Sequence, residues 1–284
     1  MKVAGTQRSQ ILASRIAETL GADLLSIRYT RFPDGEHYLQ TSPLDDQTVI
    51  VGSVVDSDTL IQLLLLIDAC SRSENILVLP YMGYARQDKQ FREGEPISAR
   101  AVAGALGRGV DRVITVQIHD PAVLVHFGLP AENITPAREI AAYLSSSGYR
   151  DPLILAPDEG ALGFASAIAR EGSWDCDHLE KTRISGEEVI MEPKSLRVSS
   201  RTVVIVDDII STGGTLATAT RMLRTQGAAD VHATCVHGIF TGGAYSYLLN
   251  SGITDLAASD TIESGYTRYS IAASIAKAIQ HAGD

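Results

Sequence analysis

The chain has little that would staple it, anchor it in a membrane or attract it to a polyanion. Only three cysteines occur among its 284 residues, Cys70, Cys176 and Cys235, far apart and with no Cys-x-x-Cys pair. An odd, scattered set argues against a disulfide framework or a zinc knuckle and fits buried thiols in a reducing compartment. Long apolar runs are missing. The greasiest stretch, residues 60–67, contains Gln62 and falls well short of the ~20 residues that a bilayer-spanning helix needs. The opening MKVAGTQRSQ lacks the apolar centre of a secretory signal, so a cytoplasmic location is expected. Positive charge is in deficit, with 24 Lys and Arg against 34 Asp and Glu, a net charge of −10. Such a surface repels nucleic acid and anionic lipid, so neither is expected as a partner. Any anionic ligand must therefore meet a locally cationic or N–H-rich site. Neither a GxGxxG fingerprint nor a GxxxxGK[ST] loop occurs, which removes the two commonest nucleotide signatures.

What is present is a globular composition, 45% apolar and 20% charged, in a length that suits one large domain or two ordinary ones. Apolar runs rich in β-branched residues lie at 48–55, 76–80, 112–118, 153–156, 202–206 and 231–236. They lack in/out alternation, which predicts strands buried on both faces and hence mostly parallel sheets. Amphipathic stretches at 9–20, 58–70, 98–106, 137–145, 161–170, 215–226 and 270–281 predict the flanking crossover helices.

Two of these units match each other. VIVGSVVDSDT from Val49 aligns with VIVDDIISTGG from Val204, and at the same offset NILVLPYMG from Asn75 aligns with DVHATCVHG from Asp230. The expected organisation is two homologous α/β domains, residues 1–142 and 143–284, with the last helix free to pack on the first domain. The copies differ in their loops. The second carries Asp207, Asp208, Ser211, Thr212, Gly213, Gly214 and Thr215, where the first has Gly52 and Ser53 for the acids and lacks the glycines.

The segment VVIVDDIISTGGT is the strongest single signal. Two acids end a buried strand, at the edge where open α/β sheets bind ligands. A Gly-Gly pair then opens a helix, where free N–H groups and the helix dipole favour an anion. Carboxylates beside a phosphate cradle make sense when the ligand also offers vicinal hydroxyls or a bridging cation, as a ribose 5-phosphate moiety does. A plain strand-to-helix turn, N-capped by Ser211 or Thr212, is the alternative. The loop resembles the binding loop of type I phosphoribosyltransferases. That resemblance implies that Asp207 and Asp208 hold ribose hydroxyls and that Ser211, Thr212, Gly213, Gly214 and Thr215 wrap the 5-phosphate.

Further polar clusters occur in order along the chain: RFPDGE from Arg31, YARQDK from Tyr84, IHD from Ile118, PDEG from Pro157 and KTRIS from Lys181. Taken singly they read as a hairpin turn, a solvated loop and charged strand ends. As an ordered set spanning the chain, they resemble the ribose-phosphate diphosphokinase (PRPP synthetase) family, in particular its compact archaeal members. The resemblance implies two tandem type I phosphoribosyltransferase-like domains, each with a mostly parallel sheet flanked by helices. It also implies transfer of the β,γ-diphosphoryl group of ATP to the anomeric hydroxyl of ribose 5-phosphate, giving PRPP and AMP.

By that resemblance Phe32, Asp34, Gly35, Glu36, Arg86 and Gln87 would bind ATP, partly across a subunit boundary in a homo-oligomer. His119 and Asp158 would help to place Mg2+. Lys181 and Arg183 would be the catalytic pair on a mobile loop, with Arg183 also reaching the sugar phosphate. Two positions depart from many relatives: Ser211 stands where bacterial members often have an acid, and Glu159 replaces a smaller residue. The competing functions are a PRPP-consuming phosphoribosyltransferase and a non-catalytic regulatory subunit.

Overall fold

Apolar strand runs alternating with amphipathic helices leave a chain little choice but to bury parallel strands between helical layers. A computed structural model describes residues 1–183, 189–193 and 197–281, leaving aside the side chains of 181–183 and 189–193. It resolves into two units, one built from Met1–Ile134 with Thr261–Glu263 and the segment from Ser270 onward, the other from Thr135–Asp260 and Ser264–Tyr269.

In the first unit β1 (Lys2–Gly5), α1 (Gln10–Leu20) and β2 (Asp23–Leu24) lead into a hairpin of β3 (Ile27–Arg31) and β4 (His37–Thr41). Next come β5 (Gln47–Val51), α2 (Ser57–Ala69), β6 (Glu74–Leu79), α3 (Ser98–Leu106), β7 (Arg112–Val116) and β8 (Ala131–Ile134). Six strands form one sheet in the order β2-β1-β5-β6-β7-β8, parallel throughout, and the hairpin stands apart as its own two-stranded sheet. Val49, Ile50, Val51, Leu77, Val78 and Leu79 are fully buried, as strands covered on both faces require.

The second unit begins with α4 (Ala137–Ser146), followed by β9 (Leu153–Ala156), α5 (Leu162–Gly172), β10 (Cys176–Arg183) and β11 (Val189–Pro193). It continues through β12 (Thr202–Ile210), α6 (Gly214–Thr225), β13 (Asp230–Gly238), α7 (Ala244–Asn250), β14 (Asp255–Ser259) and β15 (Thr267–Tyr269). Its sheet runs β11-β10-β9-β12-β13-β14-β15, antiparallel only between β10 and β11. With β11 set aside, the six remaining strands take the same positions as the six of the first unit, with β5 matched by β12 and β6 by β13. The repeat seen in the sequence is therefore a repeat of architecture. The units part at Ile134/Thr135, ahead of α4, where a boundary at 142/143 would cut that helix in two.

The last helix, α8 (Ala272–Gln280), belongs to the first unit. It packs on α1 and reaches β7 and β8, as α4 in the second unit packs on α5 and reaches β15. Ile271 and Ile275 are fully buried, and Arg112 Nη2 donates to the Ala278 carbonyl at 3.0 Å. The short segment Thr261–Glu263 is tied into the same unit: Ser53 Oγ donates to Thr261 O at 2.5 Å, and the Leu12 N–H donates to Glu263 Oε1 at 2.7 Å. Burial pushes the Cys70 thiol up to about 11, and all three cysteines are unpaired.

Removing buried methyl groups without collapse of the site leaves a cavity, so Ile275→Ala is expected to cost about 2–5 kcal/mol. Urea unfolding checks this, and a loss below about 1 kcal/mol would show that α8 is peripheral to the first unit.

Candidate active site

The sequence places Asp207 and Asp208 at the carboxyl end of a strand, and β12 continues two residues further, to Ile210. The ladder to β13 runs on through Asp207↔Cys235, Ile209↔His237 and Ile210↔Gly238, whereas the ladder to β9 stops at Ile205↔Leu155. The acids are thus strand residues that overshoot the β9 ladder while still running along β13. Asp158, two residues beyond the end of β9, lies within electrostatic reach of Asp207.

Burial, followed by the charge of Asp208 and a side-chain hydrogen bond with it, pushes the Asp207 carboxyl up to about 8. The Asp208 N–H, donating to Asp207 Oδ1 at 2.9 Å, opposes this without cancelling it. Two carboxylates so placed cannot both carry charge cheaply, and they favour a ligand that brings hydroxyl donors or positive charge.

The glycine loop follows. Gly213 has φ 77° and forms the N-cap of α6 with no side-chain cap. A Cβ on it would also stand 2.9 Å from Leu248 side-chain carbons. A Cβ at Gly214 would meet nothing within 4 Å, so the first turn opens into free space. α6 has no acid in that turn, and its leading N–H groups have no carbonyl partner within the helix. The N-capped turn by Ser211 or Thr212 is therefore not what forms. Ser211 Oγ instead meets Thr241 Oγ1 at 3.3 Å, a neighbour at the end of β13 that the sequence pattern did not single out.

The matching place in the first unit is closed to anions by its own chain. Asp56 caps α2, accepting from the Thr59 N–H at 2.8 Å, while Thr59 Oγ1 returns the bond to the Asp56 N–H at 3.0 Å. Asp58 adds a second carboxylate to the same turn. The N-terminus of α1 is likewise met by Glu263.

The other expected site residues are distributed as follows. Phe32, Asp34, Gly35 and Glu36 form the exposed tip of the β3–β4 hairpin, closed by Phe32 N–H to Glu36 O and Gly35 N–H to Phe32 O, both at 2.9 Å. Arg86 is exposed in the loop after β6. Gln87 ties that loop to α3, its Oε1 accepting from Ser98 Oγ at 2.5 Å and its carbonyl from the Ala99 N–H at 3.2 Å. His119, exposed, lies three residues beyond β7 in the first unit, whereas Asp158 belongs to the second. Lys181 and Arg183 lie on β10, opposite Met191 and Val189 of β11, and their side chains fall outside the described residues. Among the described residues no three His, Cys, Asp or Glu side chains converge to hold a metal, and no helix is long and apolar enough to cross a membrane.

A doubled parallel-sheet unit with one acidic, glycine-rich loop at a strand end defines a phosphoribosyltransferase-type fold, and a phosphoribosyl transferase domain model matches residues 131–247. Residues 1–108 match a model of the N-terminal domain of ribose phosphate pyrophosphokinase. Ribose-phosphate pyrophosphokinase of Methanosarcina mazei is 46% identical over 283 residues, covering 98% of this chain and 95% of that protein. The Methanopyrus kandleri protein of the same description is 41% identical, with 99% of each chain covered. The crystal structure of phosphoribosylpyrophosphate synthetase from Mycobacterium smegmatis superposes with a TM-score of 0.84 at 25% identity, covering 99% of this chain and 98% of that one. The chain belongs to the ribose-phosphate pyrophosphokinase family.

Because Asp207 holds its proton up to about 8 when folded but loses it near ~4 when unfolded, it opposes folding increasingly as pH rises through that window. Without ligand, Asp207→Asn is therefore expected to raise the urea midpoint at pH 8 and to leave it unchanged at pH 4. Equal midpoints at pH 8 would mean that the carboxyl is charged at no cost.

Proposed function

We propose that this chain transfers the β,γ-diphosphoryl group of ATP to the anomeric hydroxyl of ribose 5-phosphate, releasing PRPP and AMP. The observation that carries the proposal is the uncapped N-terminus of α6 beside the Asp207–Asp208 pair, in one of two otherwise matching units. Gly213, Gly214 and Thr215 offer backbone N–H groups to the 5-phosphate, and the Ser211 and Thr212 hydroxyls add donors. Asp207 and Asp208 accept hydrogen bonds from the ribose hydroxyls, which eases the crowding of two neighbouring carboxyls.

The anomeric oxygen attacks the β-phosphorus in line. The bond from that phosphorus to the oxygen bridging the α-phosphate breaks, AMP departs with the electron pair, and the hydroxyl proton passes to solvent. Charge spreads over the transferring group, so catalysis rests on positioning and on nearby positive charge. Lys181 and Arg183 supply that charge, and Arg86 holds phosphate oxygens with its planar fork. Phe32 offers its ring to the adenine, Asp34, Gly35 and Glu36 bind the nucleoside, and Gln87 holds the loop that carries Arg86. A carboxylate oxygen suits Mg2+, which would supply screening of the phosphate charge. Asp158 would be its protein ligand. The exposed Phe32 and Tyr38 on a hairpin outside the main sheet favour a homo-oligomer with ATP bound near subunit boundaries.

Incubation with ATP, Mg2+ and ribose 5-phosphate, followed by ion-pair chromatography, is expected to give AMP and PRPP in equal amounts and neither without the sugar phosphate. PRPP binding without AMP formation would move the chain to a PRPP-consuming transferase or a regulatory subunit. Lys181→Ala is expected to lower kcat about a hundredfold with little change in KM for ribose 5-phosphate. A parallel loss of ribose 5-phosphate binding would assign the lysine to substrate capture instead.

A further inference from the structure

In the first unit, the positions that match the sugar-phosphate loop serve another purpose. At the offset that aligns Val49 with Val204, residues Ser57, Asp58 and Thr59 stand where Thr212, Gly213 and Gly214 stand in the second unit. The loop is rigid, since Asp56 and Thr59 close a reciprocal capping box at the start of α2. From that fixed turn two side chains reach outward: Ser57 Oγ lies 2.9 Å from the Tyr84 hydroxyl, and Asp58 turns to the β3–β4 hairpin.

The hairpin needs such a hold. It shares no ladder with the six-stranded sheet, and a lone two-stranded hairpin is marginal in water. Ile27 and Leu39 pack on the core, whereas the tip from Arg31 to Glu36 is exposed. Arg31 and His37 are the last facing pair before the turn, one on each strand. A single carboxylate serves both: Asp58 Oδ2 accepts from Arg31 Nη2 at 2.5 Å, and Asp58 Oδ1 faces His37 Nε2 at 3.4 Å. Arg31 Nη1 also donates to the Gly35 carbonyl at 2.9 Å, carrying the hold into the turn itself. The Arg31 guanidinium keeps the Asp58 carboxyl below the usual carboxylate range, so it is charged at neutral pH.

We propose that Asp58 is a positioning residue that fixes the hairpin tip in the orientation in which Phe32, Asp34 and Glu36 meet the nucleotide. This rests on the assignment of that tip to ATP. An exposed ion pair adds little to global stability, so the function of this one is to hold geometry.

The test uses the full-length protein and two variants, Asp58→Asn and Phe32→Ala, with steady-state kinetics and hydrogen–deuterium exchange of peptides covering residues 27–41. Asp58→Asn is expected to raise KM for ATP about fivefold, with kcat and KM for ribose 5-phosphate within about twofold. Exchange should quicken at the Phe32 and Gly35 amides and stay unchanged in α2 and the main sheet. A merely structural role would spread the exchange and move both KM values. If Phe32→Ala raises KM for ATP and Asp58→Asn does not, Asp58 is not a positioning residue. If Asp58→Asn loosens the hairpin while neither variant changes KM for ATP, the assignment of the tip to ATP fails and takes the proposal with it.

Discussion

Everything distinctive in the second unit turns on two neighbouring carboxyl groups held where both cannot carry charge cheaply. Because the β12–β13 ladder outruns the β9 ladder, Asp207 and Asp208 are fixed by strand geometry at an open step in the sheet. Burial and their mutual repulsion leave one of them protonated at neutral pH. A few residues further on, the α6 N-terminus presents N–H groups with no side-chain cap. Acceptors at one end and donors at the other suit the sugar phosphate proposed for this site, with hydroxyls at one end and a phosphate at the other. Neither half of the site would be selective alone.

The first unit shows how much of this depends on loops and how little on the sheet. Strand order and the β5/β12 and β6/β13 correspondences are shared. The loop after β5, however, carries its own carboxylates, so the helix N-terminus that would attract phosphate is already satisfied. In place of a ligand it meets parts of its own unit: Tyr84 of the long loop after β6 and both strands of the hairpin. A fold that repeats can thus leave one helix N-terminus uncapped and use the other to hold its own unit together.

Chain order and unit membership part company at the C-terminus. Thr261–Glu263 and α8 complete the first unit, although they follow strands of the second. The segment seats Thr261 O on Ser53 and Glu263 on the start of α1. Buried isoleucines then give α8 the place on α1 that α4 holds on α5.

Much of the architecture was legible beforehand. Residues 98–106 and 153–156 form the helix and strand that periodicity predicts, and the repeat identified the matching strands. Short or mixed strands such as β2, β8, β10 and β15 escaped, because two to eight residues at a sheet edge or with alternating polarity carry no distinctive run. The family motifs are local in sequence and so could be read from it, with the acids and glycines of 207–215 foremost. Local patterning and composition therefore determined the α/β class, the doubling and the place of the acidic, glycine-rich loop, since each depends on near neighbours in the chain. Tertiary structure decided that β12 outruns β9, that burial raises the Asp207 carboxyl, that Thr241 stands by Ser211, that Asp58 reaches the hairpin and that α8 joins the first unit. Each of these depends on residues tens to hundreds of positions apart, brought together only by the pairing of strands and the burial of helix faces.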